Sequence, residues 1–414
     1  MKKPLFIVLA GGIGKNFAPL VTNKSLFPFF GKPLIEHTLE MIQAAGGTEA
    51  LVVCNQENQS VIANLSTKLQ IITVLQNTAA GQADALTLVS HLVADDQPVI
   101  ILNAVDLIEP KFLQKFMKQA STTYAQILGM RVKKHFLGGY LQVDGERVLS
   151  IVEKPALGKE PSDIANLFFH YFAKPQELFA LLTKYTAGDD AYEKALDELL
   201  HSQNVSFMIY EGYWQKLKQA DHVLDMTQLF LQHKLNNKID KSAKIDKTVR
   251  IEGPVQIEAN VKIEAGAVIK GPAYIGANTI IGNHCLIRNS IIEANSIIGF
   301  GSEVARSYIG PNCNLHHNFI GDSVLEAFVN PSYGTCTANL RFDQDKIKLR
   351  LVQENGEDLL IQTDKNKLGA IMAKGVFLGI NCSILPGITI GAEARALPGS
   401  VIKKAVKSET MFGQ

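Results

Sequence analysis

From residue 239 onward an isoleucine returns every sixth residue: Ile239, Ile245, Ile251, Ile257, Ile263, Ile269, Ile275, Ile281 and Ile287. No helix has that period. A strict six-residue repeat marks a parallel β-helix built of hexapeptide turns. Each isoleucine points inward, and small or turn-forming residues follow at the corners, as in "IGAN" and "IGNH". Stacked turns bury a continuous apolar rod that no single turn could bury alone. The rhythm loosens after Ile287, with steps to Ile292 and Ile298, and returns as Leu378, Ile384, Ile390, Ala396 and Ile402. In between, "KIKLRLVQENGEDLLIQT" alternates and carries Asn355-Gly356, which predicts a hairpin projecting from the coils around residues 345–364.

The first half keeps a different rhythm. "LFIVLA" at residues 5–10 reads as a fully buried strand, and residues 33–45 as an amphipathic helix. "TEALVVCN", "QPVIILNAVDL" and "VSFMIY" are further strands, with helical patterns such as "ADALTLVSHLV" and "AYEKALDELLHS" between them. Alternating strand and helix implies an α/β domain with a mostly parallel sheet covered on both faces. The expected division is 1–231 for this domain, a polar linker at 232–238, and 239–414 for the β-helix. In open α/β sheets, ligands sit beyond the carboxyl ends of the strands. "LAGGIGKNFAPL" puts Gly11, Gly12 and Gly14 there, in a loop able to present backbone amides to phosphate. A plain strand-to-helix turn would use the same glycines.

Composition narrows the function. A formal net charge of +1 on 414 residues gives no reason to expect nucleic acid or an anionic membrane as partner. Cys54, Cys285, Cys313, Cys336 and Cys382 are odd in number, widely spaced and without a CxxC pair. That argues against zinc and against a disulfide framework, and fits a reducing cytoplasm. "MKKPLFIVLAGG" is read as a first strand rather than a signal peptide, because no small-x-small cleavage site follows its short apolar run.

The motifs "LAGG", "GKPLIEHTLE", "VEKP", "HHNFIGDS", "TANLRFD" and "KLGAI" occur in an order and spacing that resemble a known family. The first half resembles the sugar-1-phosphate nucleotidyltransferases, and the second resembles the hexapeptide acyltransferases. Together they resemble the bifunctional UDP-N-acetylglucosamine pyrophosphorylase/glucosamine-1-phosphate acetyltransferases, the archaeal type especially. The resemblance implies a Rossmann-like domain followed by a left-handed parallel β-helix. It also implies a transferase of nucleotide-sugar synthesis that joins UTP or dTTP to a hexose or N-acetylhexosamine 1-phosphate. Mg²⁺ is the implied cofactor, acetyl-CoA a co-substrate, and a homotrimer the assembly.

Site residues follow from the same resemblance. Leu9, Ala10, Gly11, Gly12 and Gly14 match the phosphate loop, and Gln76 and Gly81 match the segment that reads the base. Lys24 matches a lysine that balances phosphate charge. Asp106 matches the Mg²⁺ aspartate, although it could instead cap the "EPKFLQKF" helix. Gly139, Glu153, Lys154 and Asn166 match positions around the sugar phosphate, although Glu153 and Lys154 could be a solvated pair. In the second half His316 matches the base of acetyl transfer. Asn330 and Asn339 match asparagines that contact the sugar, and Lys348 matches a basic residue of the archaeal relatives. His316 and His317 could also be ordinary corner residues, and Asn339 could serve a left-handed corner.

Departures from the family pattern cut against full activity: besides Asp345, which replaces a second lysine near Lys348, there are four. Asn16 stands where the family has an arginine, and Lys216 where many members have a second metal-binding aspartate. Phe319 replaces a sugar-contacting tyrosine, and Tyr333 replaces a small residue near coenzyme A. A weakened relative that binds nucleotide sugars without fast turnover is the alternative reading.

Overall fold

The computed structural model describes residues 2–135, 138–185, 190–352 and 357–413. Asn355 and Gly356 lie outside the described residues, as does the side chain of Lys15. The chain divides into two compact units: residues 1–13 with 34–214, and residues 14–33 with 215–414. Residues 14–33 and 215–231, which the strand-helix rhythm assigns to the first half, thus fall in the second unit. Among the described residues no helix is long and apolar enough to cross a membrane.

The first unit is built on a mixed sheet, nine-stranded among the described residues. Gln70–Leu75, Glu49–Cys54, Leu5–Leu9 and Val99–Asn103 run parallel, in that spatial order. Their apolar runs fit strands buried on both faces: Phe6, Ile7 and Val8 are fully buried. Ile164–Phe172 then pairs antiparallel with Val99–Asn103 and with Ala125–Arg131. The chain leaves Leu5–Leu9 toward one edge and returns on its other side as Val99–Asn103, so the strand order reverses between these two neighbours. That reversal is where an α/β sheet opens a ligand crevice.

The second unit is a three-faced parallel β-helix of the left-handed hexapeptide class, with parallel sheets of eight, six and eight strands among the described residues and a further one of three that continues the six-stranded face through the Asn330–Phe377 bridge. Its inward ladder runs Ile257, Ile275, Ile292, Ile309, Leu325, each side chain fully buried. The loosened rhythm after Ile287 is a matter of coil length: the steps of this ladder shorten from 18 residues to 17, 17 and 16. Asparagines hold left-handed corners, such as Asn278 at φ 60° and Asn295 at φ 61°. Asn278 Nδ2 donates to Asn295 Oδ1 at 3.1 Å, so the corners also bond along the axis.

Two details add to the sequence reading. Around the polar stretch 232–238, Phe230–Lys234 closes the helix His222–Leu229 with a π turn, and Lys238–Ile239 already pairs with the coil above. Leu349–Val352 and Asp358–Ile361 do pair antiparallel. The first of these strands, however, does not stand clear of the coils. The Arg350 N–H donates to the Gly387 carbonyl at 2.9 Å, and Thr389 Oγ1 donates to the Arg350 carbonyl. Leu349 and Leu351 are buried as a result.

Candidate functional site

At the strand reversal of the first unit, Leu9 ends its strand and Ala10–Gly12 begin the loop. The Ala10 N–H donates to Val53 O and the Ala104 N–H donates to Leu9 O, both within 3.0 Å, which fixes the exit of the strand. The carbonyls of the loop are held from behind. Asn58 Nδ2 donates to Ala10 O at 2.8 Å, and Asn55 Nδ2 lies 3.4 Å from the carbonyls of Gly11 and Gly12. Gln76 walls the loop: a Cβ on Gly11 would lie 2.2 Å from Gln76 Oε1. Gln76 Nε2 in turn donates to Gly81 O at 3.1 Å and to Asp84 Oδ2 at 2.7 Å. Gly81 sits at φ 95° at the head of the helix Gln82–Ser90, a conformation that favours glycine. The structure therefore joins Leu9, Ala10, Gly11, Gly12, Gln76 and Gly81 in one wall.

Asp106 follows the neighbouring strand. It is 4 % exposed, and Asn103 Nδ2 donates to its Oδ2 at 3.0 Å. It does not cap the next helix, whose N-cap is Glu109. The turn is tied down by Thr38 Oγ1, which donates to Ala104 O at 2.8 Å.

The residues matched to the sugar phosphate form a second group on the same sheet. Gly139 pairs with Glu153, and a Cβ on Gly139 would lie 2.9 Å from Glu153 Oε2 and 3.5 Å from Asn166 Cβ. Lys154 is exposed, at φ 47°, with its ammonium 3.5 Å from Glu153. Asn166 is positioned through a buried relay: His170 Nε2 lies 2.9 Å from Asn166 Oδ1, and His170 Nδ1 lies 2.6 Å from the Tyr192 hydroxyl. Burial pushes the His170 imidazole down to about 3, so it stays neutral. An amide oxygen only accepts, so His170 donates from Nε2 and accepts the tyrosine proton at Nδ1. Glu193, on the helix Ala191–Ser202, is raised to about 7, chiefly by burial, with Glu153 adding to it.

Gly14, Asn16 and Lys24 lie in the second unit. Gly14 has φ 67° and a Cβ there would meet Lys24 Cε at 3.2 Å. Asn16 is exposed. Lys24 donates to Lys218 O at 2.8 Å and its ammonium lies 5.6 Å from the centre of the Phe17 ring. Burial, and then the charge of Lys218, lower Lys24 to about 8. Asp221, His222 and Asp225 offer ligand atoms within 4.8 Å of one another. Their counter-charge comes from Lys365, whose ammonium lies 2.5 Å from Asp225 Oδ1.

The residues matched to acetyl transfer are dispersed over the β-helix. His316 is exposed on the strand Asn314–His316, beside Tyr333 on the next coil. It is not a corner residue, whereas His317 is one, at φ 52°. Asn339 lies after a different face. It is not in a left-handed conformation, and its Nδ2 donates to Asp322 Oδ2 at 2.5 Å. Asn330 Oδ1 accepts from the Ser332 N–H at 2.9 Å. Lys348 is exposed and lines an open cavity with Arg341, Arg350 and Lys403.

Residues 5–233 match the Nucleotidyl transferase family, and residues 234–330 match the GMPPB C-terminal domain. The chain belongs to the nucleotidyl transferase family. Relatives extend the likeness to the whole chain. A bifunctional sugar-1-phosphate nucleotidylyltransferase/acetyltransferase of Sulfurisphaera tokodaii is 28 % identical over 411 residues, 96 % of this chain and 97 % of that protein. A bifunctional protein GlmU of Methanococcus maripaludis is 31 % identical over 395 residues, 94 % and 92 % of the two chains. Among solved structures, apo UDP-glucose pyrophosphorylase covers 56 % of this chain and all of its own, at 17 % identity and a TM-score of 0.51. That last likeness concerns the fold.

As a nucleotidyl transferase the chain carries features that motif reading passes over. Asn55 and Asn58 hold the loop carbonyls, and Asn103 orients Asp106. The asparagines in "VVCNQEN" and "ILNAVD", each just past an apolar run, were the signal available. The His170–Tyr192 relay behind Asn166 leaves no local signal, because its partners are 22 residues apart.

Proposed function

We propose that the first half joins UTP or dTTP to a hexose or N-acetylhexosamine 1-phosphate. The sugar-phosphate oxygen attacks the α-phosphorus, the bond to the β-phosphate breaks, and pyrophosphate leaves. One observation carries this reading: Gly11, where a Cβ would displace the Gln76 amide from its bonds to Gly81 and Asp84, while Asn55 and Asn58 hold the carbonyls behind the loop. A wall so built presents backbone amides to phosphate. Gly14 and Lys24 are assigned to the same nucleotide by family likeness, and Gly139, Glu153, Lys154 and Asn166 to the sugar phosphate.

Asp106 suits Mg²⁺, since one hard carboxylate with substrate phosphates and waters is an ordinary donor set for that ion. The ion would neutralise phosphate charge when bound. Asn16 and Lys216 make turnover slow on this reading, because they withdraw a cation and a carboxylate that such chemistry uses.

For the second half we propose acetyl transfer. The amine of glucosamine 1-phosphate attacks the thioester carbonyl of acetyl-CoA, the thiolate leaves, and His316 takes the amine proton. Asn330 and Asn339 orient the sugar. The Arg341, Lys348, Arg350 and Lys403 cavity supports a polyanionic co-substrate. The family likeness supports a homotrimer, and the odd, widely spaced cysteines support a cytoplasmic setting.

The test is a pyrophosphate-release assay with Mg²⁺, each nucleoside triphosphate and a panel of sugar 1-phosphates, alongside calorimetry with the same nucleotides. Release above background is expected with UTP or dTTP. Neither release nor binding at millimolar concentration would sink the proposal.

A further inference from the structure

The segment 14–33 carries Gly14, Asn16 and Lys24, and it is fastened to the β-helix by buried carboxylates. Glu326 directly follows the ladder residue Leu325 and is 2 % exposed. Its Oε1 accepts the Thr22 N–H at 2.7 Å. Its Oε2 accepts the Val21 N–H at 3.2 Å and the Lys374 N–H at 2.8 Å. Among the described residues it makes no ion pair. A buried carboxylate without a cation is costly unless hydrogen bonds satisfy it. Here three backbone donors do so, and two of them come from consecutive residues of one segment, so the carboxylate grips that segment as a fork.

The grip continues along the chain. Tyr308, fully buried, donates its hydroxyl to Pro28 O at 2.8 Å. Glu293 follows Ile292 two coils below Glu326, is 1 % exposed, and accepts the Gly31 N–H at 2.9 Å. Phe30 stacks on Tyr274 at 4.4 Å, and Phe27 packs on Tyr308 at 5.1 Å. Lys24 stands two residues beyond the fork. Next to it Asn23 Oδ1 accepts from the Ser25 N–H at 3.0 Å, and Lys24 itself donates to Lys218 O. The backbone that aims Lys24 is thereby referenced to a coil of the β-helix more than 300 residues away in sequence.

We propose that Glu326 is a positioning residue for nucleotide binding: it holds residues 21–24 in the one register that presents Lys24 to phosphate. This rests on the nucleotide reading above. A carboxylate is required because it only accepts; the amide of a glutamine would turn N–H groups toward one of the N–H donors.

The test compares wild type, Glu326→Gln and, as a control, Glu303→Gln, which breaks the Glu303 pair with Arg288 in the same β-helix. Calorimetry reads the affinity for UTP and dTTP, and hydrogen exchange reads the amides of residues 21–26. Glu326→Gln is expected to weaken nucleotide binding at least tenfold and to speed exchange at 21–26. It should also raise the pH at which affinity falls, as Lys24 leaves its buried place. Glu303→Gln should change none of these. If Glu326→Gln does not fold, Glu326→Asp, which keeps two acceptor oxygens on a shorter stem, takes the same measurements. Unchanged affinity in the variant overturns the proposal, even if the protein is less stable. If wild type binds no nucleotide, the functional reading fails separately. Exchange then separates the two failures: faster rates at 21–26 in Glu326→Gln show that the grip is real and the nucleotide reading alone is wrong, and unchanged rates overturn both.

Discussion

The phosphate-loop wall of the first unit and the His316 region of the β-helix carry candidate residues of very different standing. Each residue of the wall has a neighbour that fixes it: Gln76 against Gly11, Asn58 on the Ala10 carbonyl, Asn103 on Asp106. His316 is exposed, its ring makes no hydrogen bond among the described residues, and Asn339, on another face, is committed to Asp322. The difference follows from architecture. At a strand reversal, loops from adjacent strands converge and can brace one another. On a β-helix, successive faces point in different directions, so one chain's residues cannot easily converge on a substrate. The loop wall is braced by its own neighbours, whereas the residues matched to acetyl transfer are spread over separate faces of the coil stack.

The largest effect expected is at His316. If it is the base, His316→Ala should lower acetyl transfer to glucosamine 1-phosphate by ~10²–10⁴-fold, the usual range for a lost general base. Coenzyme A release, read with a thiol reagent, checks it. Full activity in the variant would break the comparison, since the exposed histidine would then be an ordinary surface residue.

Next come the two loop glycines. A Cβ on Gly11 collides with Gln76, whereas a Cβ on Gly12 meets nothing within 4 Å. Gly11→Ala should weaken nucleotide binding about tenfold, the worth of one or two hydrogen bonds lost as the Gln76 amide is displaced. Gly12→Ala should leave the melting temperature unchanged. Any affinity it loses then reports the approach of the nucleotide itself. Equal melting and equal binding in both variants would show that the wall is not organised in advance.

How much of this was legible follows the range of the interactions. The isoleucine repeat declares the β-helix because each coil repeats the same local demand. The shortened coils after Ile275 blur that repeat without changing the ladder, since a corner can lose a residue while the inward side chain stays in register. The loop glycines were legible because glycine is needed where a wall is close. The attachment of residues 14–33 to the β-helix was not, because Val21 and Thr22 meet Glu326 across some 300 residues of chain. One sign was available: an acid stands directly after Ile292 and after Leu325, at positions where the intervening coil has Gly310.

A gain of function tests the wall from the other side. Asn16 is exposed, so arginine can be accommodated there without disturbing a core. Asn16→Arg with Lys216→Asp should raise pyrophosphorylase turnover at least roughly tenfold, about 1.4 kcal/mol of barrier. Arginine would offer paired N–H donors to transition-state charge where asparagine offers a neutral amide. Pyrophosphate release at saturating substrate is the measurement. A wild type already turning over at about 10 per second would remove the premise.

The smallest effect lies in the pH dependence of nucleotide binding. Lys24 is lowered to about 8, by burial first and by Lys218 second. On the proposed reading phosphate is held by the ammonium form, and nucleotide phosphates are mostly ionised above pH 7 because their last ionisation lies near 6. Below pH 8 most Lys24 is therefore already charged, and affinity should be flat from about 7 to 7.5. As the pH rises through 8, the free protein loses this proton and binding must restore it, so affinity falls by up to about tenfold per further unit. An exposed lysine, near 10.4, would leave affinity flat over the same range. Lys24→Arg supplies the control, since a guanidinium stays charged and should remove the fall. Calorimetry between pH 7 and 9 reads it. A flat wild-type profile would mean that Lys24 either misses the phosphates or stays charged throughout, and Lys24→Ala separates the two, since it weakens binding at pH 7 only if the ammonium meets phosphate.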